Sequence, residues 1–177
     1  NCKPDYAFYA KKAAGKAMAN ASTASVWRQL SLMGGERGYF YLDILWQLRG
    51  TLDWLIAGPG LCRRRPHPTE LHLGDKIDFW TVIAIEPARR LTLSFDMKTP
   101  GAGVLEFELE EIDGKTQLTA PAYWHPAGVW GLLYWYSLVP LHVILFEGMT
   151  KAIARRAELC AASRTRQVPV AERVLDP

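Results

Sequence analysis

The residues that could do chemistry are few. They are the histidines, one strand with three glutamates and one run of arginines. His125 stands in Tyr123-Trp124-His125-Pro126, where an alternating stretch gives way to a helical one. There it either faces a ligand, as acid, base or hydrogen-bond donor, or closes a strand-to-helix corner stiffened by Pro126. No partner stands at a fixed spacing from it. His142 lies in an apolar run, one turn after Leu138. It is either a satisfied core histidine or the polar group that orients a ligand in an apolar lining.

Cys62, His67 and His72 are evenly spaced, but the spacing matches no usual zinc pattern. Pro66 and Pro68 are expected to hold this loop against convergence, so no metal is expected. Glu106, Glu108 and Glu110 share one strand face and alternate with Leu105, Phe107 and Leu109. Paired carboxylates can transfer protons, yet the apolar set should take the core, which turns the glutamates to water. Arg63, Arg64 and Arg65, with Arg37 nearby, could receive a phosphate or carboxylate; the plainer reading is a solvated loop.

The aromatic residues say more. Phe79, Phe95, Phe107 and Trp124 fall on the expected inward phase of four strands, and Trp46 and Tyr134 come from helices that should pack nearby. They form either a large core or the wall of a cavity, and the small inward residues Ala120 and Ala122 leave room that a filled core would not need. With His125 and His142 they make the candidate ligand-binding set.

Residues 1–13 read as a leader packed on the surface. Ala14 to Ala21 reads as an edge strand. Ser22-Thr23-Ala24-Ser25 offers an N-cap to a helix carrying Val26, Trp27, Leu30 and Met33, stopped by Gly34-Gly35. Tyr39 to Ala57 has helical spacing and a wide apolar face, with Leu42, Leu48 and Leu55 among its members. From Ile77 to Trp124 the period changes to two. Turn signals at Glu86-Pro87, Pro100-Gly101 and Asp113-Gly114 divide that stretch into an antiparallel meander. Ile77, Phe79, Thr81, Ile83 and Ile85 are expected to share one face, and Pro121 marks its strand as an edge or a bulge.

Val129 to Phe146 is eighteen residues long and fourteen of them are hydrophobic, enough by length to cross a membrane. Pro140 and His142 would lie at membrane depth without a partner, and the helical pattern continues through Met149, Lys151, Ile153 and Arg155. A core helix, buried in its first half and amphipathic in its second, is therefore expected rather than a span. Residues 161–177 show no periodicity and are expected to form a loose tail, leaving residues 1–160 as one domain.

The bulk numbers exclude some classes. A length of 177 residues with 49% hydrophobic and 22% charged residues suits one folded domain. A formal charge of +3 is too small to imply nucleic acid. Three scattered cysteines fit a reducing, cytoplasmic compartment. The first stretch, with Lys3, Lys11 and Lys12 and no apolar core, does not read as a signal peptide.

The order of elements is strand, two helices, an antiparallel meander and a long C-terminal helix. It resembles the helix-grip fold of the START-like superfamily, abbreviated SRPBCC. Gly34-Gly35-Glu36-Arg37-Gly38-Tyr39, Arg65-Pro66-His67-Pro68-Thr69-Glu70-Leu71, Gly74-Asp75, Asp78-Phe79-Trp80 and Tyr123-Trp124-His125-Pro126 are similar to one branch of it. That branch is the domain of unknown function found alone or behind an NAD(P)-binding atypical short-chain dehydrogenase domain. The resemblance implies an α+β fold, a curved antiparallel sheet around a long C-terminal helix with a cavity between them, and a partner domain that binds NAD(P). It implies no reaction. The chain has no G-x-G-x-x-G after a strand, so no cofactor of its own is expected.

Binding of an apolar or aromatic small molecule is thus the leading expectation. The alternatives are a cofactor-free cyclase, dehydratase or isomerase using His125, and an accessory domain of a dehydrogenase-like partner.

Overall fold

The computed structural model describes residues 10–34, 38–55 and 65–167. Six antiparallel strands form one curved sheet in the order β1-β6-β5-β4-β3-β2. The strands are β1 (Lys11–Ala19), β2 (Lys76–Ile77), β3 (Trp80–Glu86), β4 (Arg90–Phe95), β5 (Gly101–Ile112) and β6 (Lys115–Pro126). The helices are α1 (Thr23–Leu30), α2 (Asp43–Leu55) and α3 (Gly128–Gln167). This is the expected α+β helix-grip arrangement, with α3 lying chiefly on β1 and also on β6 and α1.

Local chemistry accounts for the boundaries. Ser22 is extended at φ −66°, ψ 154°, and its hydroxyl accepts from the Ser25 N–H at 3.3 Å, capping α1. Asp113 and Gly114 both have positive φ (50° and 73°), the two-residue turn that matches strand twist and closes the β5–β6 hairpin at Ile112 and Lys115. β1 is an edge, as expected, and begins at Lys11. Pro121, however, lies in an internal strand. The β5–β6 ladder skips Glu106 and Phe107, which stand opposite Pro121 and Ala120, because proline has no N–H to give.

The expected alternation from Ile77 to Ile85 fails for a clear reason. Asp78 takes φ 56°, which turns the chain between β2 and β3, so that Ile77, Phe79 and Trp80 are all buried. A bulge between Val82 and Ala84 shifts the phase again and leaves Ile83 exposed.

The long helix also departs from expectation. By length and composition α3 could cross a membrane; in this fold its inner face packs on the sheet. Its buried side chains are Trp135 and then a run along the middle of the helix, Leu145, Phe146, Met149, Ile153, Ala154 and Ala157. The first half is bare on its outer side. Val129, Trp130, Leu133, Tyr136, Val143 and Ile144 are exposed at three- and four-residue spacing, Trp130 by 77%. No charged residue interrupts 129–146. Of the apolar face expected for the second helix, Leu48 and Leu55 of α2, and Leu42 just before it, are exposed among the described residues. The helix α3 continues through 161–167, where a loose tail was expected.

Two glycines let α3 approach the sheet. A Cβ on Gly15 of β1 would stand 2.2 Å from the Phe146 carbonyl oxygen. One on Gly131 would stand 2.3 Å from the Pro100 carbonyl oxygen. Backbone meets backbone at both points, and the stretch of α3 between them carries Pro140.

Candidate functional site

Between those two contacts α3 stands off the sheet and leaves a cavity of about 120 Å³. Trp80 of β3, Phe95 of β4, Gly103, Val104 and Leu105 of β5, and Ala122, Tyr123 and Trp124 of β6 form its floor. The roof comes from Tyr134, Trp135, Leu138, Leu141, His142, Leu145 and Phe146, which recur at helical spacing on the inner face of α3. The aromatic rings pack on one another. Trp124 stacks on Trp135 at 6.5 Å and meets Tyr134 at 5.4 Å, while Trp80 and Phe95 lie 5.1 Å apart.

His142 is the polar exception in this wall. Its ring lies 5.5 Å from that of Trp135 and 5.6 Å from that of Phe146. Its Nδ1 is buried and has no hydrogen-bond partner among the described residues. Burial pushes the imidazole down to about 4, so at neutral pH the ring is uncharged. It can then present Nδ1 as an acceptor or, in the other tautomer, as a donor.

Of the candidate set, Phe95, Trp124, Tyr134 and His142 meet at this cavity. Phe79 and Phe107 do not line it; both are fully buried core residues, Phe79 packing on Tyr39, Trp80 and Phe95. His125 does not line it either. Trp46 belongs to α2, and its side chain lies outside the described residues. No described residue of α2 lines the cavity.

Sequence reasoning missed Trp80 and Trp135. Trp80 was hidden by the turn at Asp78. Trp135 was one of three consecutive aromatics on a helix whose inner face is set by tertiary contacts, those at Gly15 and Gly131 among them.

The charged candidates also resolve. Glu106 does not face water: it is 1% exposed and accepts from the Thr92 hydroxyl across the β4–β5 pair at 3.1 Å. Burial and then the charge of Glu106 raise the neighbouring Glu108 carboxyl above its ordinary range. Arg65 is not an anion receptor. It donates through Nη1 to the Met33 carbonyl at 2.7 Å, through Nη2 to the carbonyls of Ser31 and Glu70, and through Nε to that of His67. It thereby ties the end of α1 to the following loop. Arg37, Cys62, Arg63 and Arg64 lie outside the described residues. The prolines, finally, do not hold the loop open: the His67 and His72 rings meet edge to face at 4.6 Å.

A family model described as a protein of unknown function, DUF2867, matches residues 6–149. A search of curated proteins gave no match. Among solved structures, DynU16, from the dynemicin biosynthetic locus, superposes with a TM-score of 0.52 at 16% identity. The alignment covers 83% of this chain but only 47% of DynU16, so the chain spans about half the length of that relative. A protein from Nitrosospira multiformis gives a TM-score of 0.51 at 16% identity, covering 87% of this chain and 99% of the other. The polyketide cyclase-like protein Cgl2372 from Corynebacterium glutamicum gives 0.49 at 11% identity, covering 91% and 98%. At such identities the likeness is one of fold.

Proposed function

Because this chain belongs to the DUF2867 family of proteins of unknown function, with the fold of the START/polyketide-cyclase-like superfamily, we propose its activity from the cavity itself: it binds a small aromatic molecule that carries one hydroxyl group. The orphaned Nδ1 of His142 in an aromatic wall carries this reading. A buried polar atom without a partner costs about 1–3 kcal/mol, and a ligand hydroxyl recovers it with either tautomer. The cavity is close in size to the apolar cavity of about 150 Å³ that takes up benzene in an engineered protein, so one ring fits. Burial of apolar surface supplies the rest of the affinity, at about 25 cal/mol per Å² before entropic costs.

Binding is favoured over catalysis because His125 is off the cavity and His142 has no described partner through which to relay a proton. Native mass spectrometry against the denatured mass tests retention of a ligand. Titration with phenol and toluene, followed by the fluorescence of Trp80, Trp124 and Trp135, tests the class. Phenol should bind about tenfold more tightly than toluene, and His142→Phe should abolish that preference. Equal affinities in the unaltered protein would refute it.

A second reading rests on the bare stripe of α3. Uncharged and carrying Trp130, it suits the docking of an NAD(P)-binding dehydrogenase-like domain. Sedimentation of this chain mixed with such a domain should reveal a complex that Trp130→Glu removes; no complex with the unaltered chain would end that reading.

A further inference from the structure

We propose that His67, His72 and Asp75 form a surface site for one divalent transition-metal ion of the zinc type, clipping the proline loop to the start of the sheet. One ligand atom from each residue lies within 4.8 Å of the other two. In a tetrahedral site with bonds of about 2.0–2.1 Å, ligand atoms stand roughly 3.3 Å apart. Small side-chain rotations close that gap, and the rings already touch at 4.6 Å.

The backbone around the cluster is held. Arg65 ties the loop's start to the carbonyls of Ser31 and Met33 and also grips those of His67 and Glu70. At the other end the Gly74 N–H donates to the Val82 carbonyl at 2.8 Å, and the Val82 N–H returns a bond to the Asp75 carbonyl at 2.9 Å. Asp75 is itself oriented, because its Oδ2 accepts from the His72 N–H at 2.8 Å. Metal sites use such outer bonds to aim their ligands.

The charges nearby are mixed. Glu70 approaches His72 Nε2 at 3.8 Å and Asp75 approaches Nδ1 at 3.6 Å, and the guanidinium of Arg65 holds the Glu70 carbonyl. Two imidazoles and a carboxylate favour zinc, copper or nickel over magnesium or calcium, and three protein ligands leave a coordination position open. Both histidines are exposed, so an ion can enter without unfolding.

The test is calorimetric titration of the whole chain with Zn²⁺ at neutral pH, repeated on His67→Gln and His72→Gln. These exposed positions were chosen over Asp75, whose loss would also free the His72 N–H. The expected result is one ion per chain, an affinity lower by roughly tenfold or more in each variant, and a Zn²⁺-dependent rise in Tm that the double variant lacks. Binding unchanged in both variants would place the ion elsewhere, for instance on the cysteines, and would overturn the proposal. Absence of any binding at millimolar Zn²⁺ would overturn it too. Because this site shares no residue with the aromatic cavity, either result leaves the ligand proposal standing.

Discussion

Replacing His142 with phenylalanine should change how stability depends on pH. In the folded chain the imidazole titrates at about 4, against 6.5 for the free group. That gap corresponds to about 3 kcal/mol at about 1.4 kcal/mol per unit. The sign follows from proton uptake. Below 6.5 the unfolded chain takes up a proton that the folded chain refuses, so each step down in pH favours unfolding. The contribution is fully present above 6.5 and is lost as pH falls towards about 4, where the folded chain also protonates.

His142→Phe deletes this group and keeps an aromatic ring between Trp135 and Phe146. Urea unfolding followed by tryptophan fluorescence, at several pH values between about 7.5 and 4, gives the difference in unfolding free energy between the two proteins. That difference should move by about 3 kcal/mol in favour of the variant across the window. At neutral pH the variant should be no less stable, since it also removes an unsatisfied buried atom. Parallel curves would refute the argument, because they would mean that His142 finds a solvated or paired state in the folded chain.

The other expectations follow from named contacts. Arg65→Ala strips the Ser31 and Met33 carbonyls of charged donors and should cost about 2–3 kcal/mol in urea unfolding; Arg65→Lys should restore less than half, since an ammonium cannot fork. Gly15→Ala sets a methyl group 2.2 Å from the Phe146 carbonyl oxygen and should cost about 1–3 kcal/mol as α3 lifts, read from the urea midpoint. Ala122→Leu fills the cavity floor: phenol binding should disappear while stability holds or rises by about 0.5–2 kcal/mol.

The element order, the Ser22 cap and the meander were legible because each rests on local chemistry or a sustained period. Phe95, Trp124, Tyr134 and His142 were legible as wall residues for the same reason: their strands and helix keep phase as far as the cavity. The period failed where the backbone left the ordinary regions of φ and ψ. The positive φ at Asp78 moved Trp80 inward, and the bulge at Val82 turned Ile83 out. Glu106 was misjudged because a polar phase does not reveal whether neighbouring strands cover it. The approach of His67 to His72 was not legible because Arg65, two residues before the first of them, ties the loop to a distant helix end. Tertiary bonds of that kind leave no mark on residue spacing.

The glycine contacts at Gly15 and Gly131 make α3 a beam resting on two supports. The cavity is the span beneath it, and Pro140 lies within that span, where one backbone hydrogen bond of the helix is missing. A beam weakened between its supports bows before it lifts. The volume beneath it is therefore set by how far the backbone bends as well as by the side chains of the wall. A ligand larger than one ring would be met by curvature of the helix, with both ends of the span still seated.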